Sequence, residues 1–145
     1  MSVRYHHTQR GDLMLVMLPL GAVVCVAAGF LVPPHPARWV LWGFAVLFVV
    51  MAWLFSSLTV EVTEDEVRWR FGPGLWTHRM PRADIATAQV VRNSVLNGFG
   101  IRMRPGFRLY NVSGLDTVEL RLKSGEVRRI GTDDAPGLAA ALQSP

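Results

Sequence analysis

The sequence contains very little cysteine and lysine: Cys25 is the single cysteine among 145 residues, and Lys123 is the single lysine. One cysteine excludes a disulfide within the chain and a metal site built from several thiolates. A phosphate-binding P-loop ends in Gly-Lys-Ser/Thr, and Lys123 has no such neighbours. This class of nucleotide site is therefore not expected.

Catalytic motifs are missing as well, since neither a zincin motif nor a hydrolase nucleophile elbow occurs. The adjacent His6 and His7 lie near the N-terminus. Two neighbouring histidines on a terminal segment usually bind no metal, so we do not expect a metal site there. His78 is isolated in a strand pattern, and we expect it at the surface. Asp133 and Asp134 are better explained as helix-capping residues than as a carboxylate pair. The prediction is a protein that is not an enzyme and binds no cofactor and no metal.

Charge is absent from two long stretches, residues 13–32 and 39–58. A helix of about 20 residues rises roughly 30 Å, the thickness of a bilayer's hydrocarbon core. The proline-rich residues 33–38 between them predict a short turn and two antiparallel spans. The sequence thus divides into a polar tail (1–12), a transmembrane hairpin (13–58) and a soluble domain (59–145). A cleaved signal peptide is not expected, because the first run is long and a second follows at once.

Small residues recur every fourth position in the first span, at Gly21, Cys25 and Gly29. Such a ridge lets helices approach closely. It predicts packing either against the second span of the same chain or against a second copy in a homodimer. Because both spans lack charged residues, one chain is not expected to form an ion path.

Arginine is distributed unequally around the spans. Arg4 and Arg10 precede the first span, whereas the turn between the spans carries Arg38 alone. The positive-inside rule then predicts a protein of the cell membrane, inner or plasma, with both termini and the soluble domain in the cytoplasm.

The net charge of +4 does not indicate a nucleic-acid-binding domain. After residue 58 we count 12 Arg and Lys against 10 Asp and Glu, which is nearly balanced. No aromatic stacking pattern accompanies these charges, so nucleic acid is not a predicted partner.

Apolar and polar residues alternate from residue 60 onward, which is typical of half-buried strands. Turn sequences such as Pro105-Gly106 and Ser124-Gly125 separate about seven antiparallel strands. A final helix is predicted after Thr132–Asp134, with Pro136 in its first turn and Leu138 and Leu142 on one face.

Three segments carry a resemblance to a known group: Asn97-Gly98-Phe99-Gly100-Ile101-Arg102, Leu109-Tyr110-Asn111-Val112-Ser113-Gly114 and Ile130-Gly131-Thr132-Asp133-Asp134. With two spans ahead of the domain, the chain resembles bacterial membrane proteins of the PH-like (DUF304-type) group. Related sequences have Trp-Gly-Trp-Gly where this chain has Asn97–Gly100. The resemblance implies an α+β domain formed by an antiparallel pleckstrin-homology-like β-barrel capped by the C-terminal helix. It implies no established activity.

Four arginines fall in a stretch without acidic residues, between Asp84 and Asp116. They are Arg92, Arg102, Arg104 and Arg108. A cluster of this kind near a membrane attracts anionic lipid headgroups or a protein partner. The alternative is that they are solvated strand residues paired with Glu119 or Glu126.

The function predicted from the sequence is a non-catalytic, membrane-anchored cytoplasmic interaction domain. Its predicted partners are membrane lipids and a protein, which could be a second copy of the chain. The alternative is an accessory subunit of a membrane transport or envelope-assembly complex that acts through its transmembrane helices.

Overall fold

The computed structural model describes residues 2–144, and the fold of this part of the chain is α+β. The elements in chain order are β1 (Val3–Arg10), α1 (Asp12–Leu31), α2 (Pro36–Leu54), β2 (Ser57–Thr63), β3 (Glu66–Phe71), β4 (Trp76–Pro81), β5 (Ile85–Arg92), β6 (Gly100–Arg104), β7 (Phe107–Asn111), β8 (Asp116–Leu122), β9 (Val127–Gly131) and α3 (Ala135–Gln143). The two charge-free runs form helices and most of the remaining chain forms strands, as the sequence patterns predict.

Helices α1 and α2 contain 20 and 19 residues and are long and apolar enough to cross a membrane. Only 11% of the residues in the most apolar window of α1, and 17% in that of α2, are buried. A core helix of a soluble protein would be mostly buried. The guanidinium of Arg38 donates to the carbonyl oxygens of Gly29 and Val32, at 3.1 and 2.8 Å. It thereby satisfies backbone groups left open at the end of α1.

The N-terminal segment was expected to be a polar tail, but Val3–Arg10 forms strand β1 and pairs antiparallel with β2. The register runs from Tyr5 opposite Val62 to Arg10 opposite Ser57. The side chains that turn inward include the buried Gln9, whose amide donates to the Ser113 carbonyl at 2.8 Å. The sequence pattern does not predict this strand, because its inward positions are polar and its partner strand lies about 50 residues away.

The helical hairpin is inserted between two paired strands, because β1 precedes α1 and β2 follows α2. The amide of Gly11 donates to the carbonyl oxygen of Ser56 at 2.8 Å, which closes the base of the insertion. Both ends of the hairpin therefore meet the domain at the same place, without a flexible linker.

Two sheets make up the domain, with strand orders β1-β2-β3-β4 and β5-β8-β9-β7-β6. Neighbouring strands are antiparallel except β7 and β9, which are parallel. The sheets are not closed into a barrel, because the consecutive strands β4 and β5 pair in different sheets. The predicted α+β class is confirmed, whereas the predicted closed barrel is not observed.

A single apolar core lies between the sheets and α3. Trp69 and Phe71 of the first sheet and Leu120 of the second are almost completely buried. Helix α3 adds Leu138, which is also fully buried, and Leu142, which is 9% exposed. Each such side chain contributes about 1.5–3 kcal/mol by leaving water. The predicted C-terminal helix and its buried face are therefore confirmed.

Candidate functional site

The end of the domain that adjoins the hairpin is formed by residues 10–11, 56–57, 72–76 and 93–102, and we call it the hairpin-proximal end. Gly72 approaches the last turn of α2 so closely that a Cβ there would lie 2.5 Å from the Leu54 carbonyl oxygen. Its φ of +44° is a second reason for glycine. The β3–β4 turn is thus held against the helix.

Phe55 fastens the end of α2 to the domain. Its side chain is 7% exposed, and its ring lies 5.4 Å from that of Phe71 and 5.7 Å from that of Trp76, measured between centroids. Gly100 approaches the same ring from the second sheet. Aromatic packing of this kind makes the domain and the base of the hairpin one packed unit.

Large apolar side chains are exposed at this end. Leu75 is 69% exposed, and Val95 and Leu96 are 64% and 86% exposed. Val95–Asn97 is a short 3₁₀ turn whose Leu96 amide is capped by the Ser94 hydroxyl. Large apolar side chains exposed at one end of a small domain are typical of a surface that meets a membrane or a partner.

Arg102 and Arg104 accompany these apolar residues. Arg102 Nε donates to the Phe99 carbonyl oxygen at 3.0 Å, and Arg104 donates through a terminal nitrogen to the Leu96 carbonyl oxygen. Both side chains are exposed, and neither forms an ion pair within residues 2–144. Their positive charges are therefore not compensated by the described part of the chain.

Arg92 and Arg108 have different surroundings. Arg92 is the last residue of β5, directly before the hairpin-proximal residues 93–102, and is exposed. Arg108 lies on β7, where its Nε is 3.2 Å from Glu126 Oε1. The same carboxylate is hydrogen-bonded by Arg128, which together with Arg108 lowers the pKa of Glu126. The structure thus places Arg92 at the end of β5 and Arg102 and Arg104 on β6, within the segment of residues 92–104 that we call loop 92–104, and it separates Arg108 as an ion-paired residue.

Glu119 does not pair with any of these four arginines. It accepts hydrogen bonds from Arg129 at 2.9 Å and from Arg121 at 3.1 Å. Burial alone would raise the pKa of this carboxyl, but the two guanidinium groups outweigh it and lower the pKa. The pairing proposed from the sequence as the alternative therefore describes Arg108 alone.

A groove of about 510 Å³ lies between the hairpin and loop 92–104. Its walls come from both helices and from the start of β6, and they include Leu18, Phe48, Met51, Phe99, Ile101 and Arg102. Arg102 is the sole charged residue among the described groove-lining residues. Reasoning from the sequence missed this groove, because its two walls are brought together only by folding.

His78 was expected at the surface but lies partly buried among aromatic rings. Its ring stacks on Trp69 at 5.6 Å between centroids and is 4.9 Å from that of Tyr110. Burial, together with the positive charges of Arg128 and Arg108, lowers its pKa. Alternation along β4 could have placed it inward, since His78 and Met80 share a face.

The small residues of α1 face the second helix at two positions. A Cβ on Gly29 would lie 2.3 Å from the indole nitrogen of Trp42, and one on Gly21 would lie 3.1 Å from the Phe48 ring. Cys25, which lies between these two glycines in the sequence, is half-buried. These contacts are those of packing within one chain.

Asp133, Asp134 and His7, which the sequence offered as candidate metal or acid residues, form structural contacts. Asp134 caps α3 by accepting from the Gly137 amide at 3.1 Å, and Asp133 pairs with His7. Within residues 2–144, no group of three or more His, Cys, Asp or Glu side chains is arranged to hold a metal ion.

No protein-family model matches this chain, and comparison with curated proteins finds no match. The fold and the site therefore define only a broad class of protein. The chain is an α+β protein with two apolar helices of membrane-spanning length followed by a β-sheet domain, a layout that fits the PH-like group weakly.

Proposed function

We propose that this chain is a non-catalytic, membrane-anchored interaction domain whose hairpin-proximal end rests on the bilayer and contacts anionic lipid headgroups. The observation that carries the proposal is the insertion of the hairpin between the paired strands β1 and β2. With α1 and α2 in a membrane, the Gly11–Ser56 hydrogen bond holds the domain at the headgroup level.

The charges of loop 92–104 support lipid contact. A Lys or Arg near an anionic leaflet contributes about 1 kcal/mol, and this attraction decays over about 8–10 Å at physiological salt. Arg102 and Arg104 lack a carboxylate partner within the described residues. No ion pair therefore has to break when a lipid phosphate approaches these two arginines. Arg108 would have to leave Glu126.

The exposed apolar residues support the same orientation. Leu75, Val95 and Leu96 project from segments that adjoin the helix ends. Side chains that combine apolar contacts with arginine are typical of surfaces lying in the membrane interface. Trp76, 43% exposed, suits that level as an amphipathic aromatic.

The proposal also includes the location of the protein and the relationship of its domain to a known fold. We place the protein in the cell membrane with both termini cytoplasmic, supported by the arginine asymmetry around the spans. We also propose a PH-like relationship for the domain, supported by two sheets around one core and a C-terminal helix packed against that core.

The test uses the full chain in lipid nanodiscs. A cysteine replaces the exposed Leu96 in a Cys25→Ala chain and carries an environment-sensitive fluorophore. We expect blue-shifted emission with phosphatidylglycerol but not with phosphatidylcholine alone, and we expect added salt to reduce the difference. Arg102→Gln combined with Arg104→Gln should remove most of it.

Arg108→Gln is the matched control, because this arginine is already paired with Glu126. It should leave the emission shift unchanged. The same emission in both lipids, or an equal loss in the control and the double variant, would show that loop 92–104 does not recognise anionic lipid.

A second candidate function is the accessory subunit acting through its helices. A wholly apolar cleft of about 770 Å³ between α1 and α2, lined by residues such as Ala22, Val26 and Val49, favours it. Small side chains of this kind accommodate a helix of another protein. Replacing the hairpin by an unrelated two-span anchor discriminates the two functions: activity in the cell persists if the domain acts and is lost if the spans act.

A further inference from the structure

We propose that the groove between the hairpin and loop 92–104 is a binding site for one anionic phospholipid, with an acyl chain in the groove and the phosphate at Arg102. This inference rests on the proposed function and deepens it, because a general attraction to a charged leaflet requires no defined site.

The apolar wall of the groove is suited to an acyl chain. Leu18 and Phe48 lie within the spans, and Met51 lies one turn before the end of α2. A groove that begins beside membrane-spanning residues is continuous with the hydrocarbon region, so a lipid chain reaches it without crossing water.

The rim nearest the domain is suited to a phosphate. Arg102 is the charged residue of the lining, and its Nε is held by the Phe99 carbonyl oxygen at 3.0 Å. That hydrogen bond orients the guanidinium through Nε, and within residues 2–144 neither terminal nitrogen forms a hydrogen bond or an ion pair. Two parallel N–H donors match two oxygens of one phosphate.

The geometry favours a single lipid over the alternatives. A volume of about 510 Å³ is in the range of small-ligand sites and too small for a folded partner. A free phosphate would leave the apolar wall unoccupied, and a zwitterionic lipid such as phosphatidylcholine would bring its own ammonium group close to the guanidinium. An anionic phospholipid satisfies both parts.

The experiment is native mass spectrometry of the full chain, released from detergent after incubation with equal amounts of phosphatidylglycerol and phosphatidylcholine. The parent chain should retain one phosphatidylglycerol in preference to phosphatidylcholine. Arg102→Gln should reduce this retention about tenfold, the lower end of the range for a hydrogen bond to a charged group. Inorganic phosphate added in excess should not compete.

A second pair of variants tests the chain-binding wall. Leu18→Trp fills the groove and should abolish retention, whereas Val24→Trp, on an exposed face of α1 that does not line the groove, should not. Ile101→Trp fills the groove from the domain side and repeats the test if Leu18→Trp lowers the melting temperature.

The outcomes separate this site from the proposed function. Lipid lost with Arg102→Gln but kept by both groove-filling variants would mean a headgroup bound at the surface, which overturns the groove site alone. Equal retention of both lipids, or a second copy of the chain in place of lipid, would also overturn it. If the groove-filling variants lose the lipid yet keep the Leu96 fluorescence shift, both proposals stand.

Discussion

At the scale of single residues, the surroundings of His78 decide which protonation state it favours. Trp69 is completely buried, yet its indole nitrogen and His78 Nε2 have no hydrogen-bond partner within residues 2–144. Their rings stack, and the guanidinium of Arg128 lies 6.0 Å from the Trp69 ring centroid. A protonated His78 would bring a second cation into this site. The cluster therefore favours neutral histidine.

The first prediction concerns pH. Below about pH 6.5 the unfolded chain protonates His78, whereas the folded chain, with its lowered pKa, binds fewer protons. Stability should thus fall as the pH drops from 6.5 towards the folded-state pKa. Glu119 and Glu126 act in the same direction, but only below their usual pKa of 4.5. Melting temperature in mild detergent between about pH 7 and pH 5 measures the effect.

His78→Phe keeps an aromatic ring against Trp69 and removes the titrating group. Its melting temperature should be less dependent on pH over the same interval. An unchanged slope would mean that another group causes the loss of stability.

The second prediction concerns the buried face of α3. Leu142→Ala removes a side chain that is 9% exposed, and such truncations cost about 2–5 kcal/mol. A small domain has only about 5–15 kcal/mol in total, so the melting temperature should fall markedly. The exposed Ala140→Ser provides a control, which should be nearly neutral. Equal melting of both variants would show that α3 does not close the core.

At the scale of elements, β1 is the part of the fold with the greatest consequence for the rest. It covers one edge of β2, and the hydroxyl groups of Thr8 and Thr59 are hydrogen-bonded across the pair at 2.9 Å. It also meets α3, where the Tyr5 hydroxyl donates to Asp134 Oδ2 at 3.1 Å. This strand thereby joins the base of the hairpin, the first sheet and the last helix.

The third prediction follows from these contacts. Deleting residues 2–10 should leave β2 as an edge strand with unpaired backbone groups. It should also remove the hydrogen bond from the Tyr5 hydroxyl to Asp134 at the start of α3. Hydrogen exchange of residues 57–63 should become faster, and proteolysis of the domain should increase. Deletion of an unstructured tail would change neither measurement, so unchanged exchange would contradict the role of β1.

At the scale of the whole molecule, the fold imposes one rule on the topology. Because the hairpin begins and ends at paired strands, residues before α1 and after α2 must lie on the same side of any membrane that the helices cross. The structure does not choose the side. The choice rests on Arg4 and Arg10 against Arg38.

The fourth prediction tests that choice. A reporter enzyme that is active only outside the cytoplasm, fused after Pro145, should remain silent, and the same reporter within residues 33–36 should be active. Activity of the C-terminal fusion would reverse the orientation. Activity at both places, or at neither, would show that α1 and α2 do not form a two-span hairpin.

The sequence by itself determined those features that depend on local chemistry. Charge-free runs of membrane length, alternation in strands such as β3 and β8, and the capped helix after Asp134 are all properties of neighbouring residues. The acid-free interval containing the four arginines is also visible without a structure. Periodicity and capping act over a few residues, so a linear reading finds them.

The tertiary structure alone decided which distant segments meet. It turned residues 3–10 from a tail into a strand, because their polar inward positions gain a partner only when β2 returns from the hairpin. It tied Arg108 to Glu126 and left Arg102 beside a groove whose walls are more than 40 residues apart. It also kept two sheets open rather than closed into a barrel. Such pairings depend on packing between remote parts of the chain, which local periodicity does not encode.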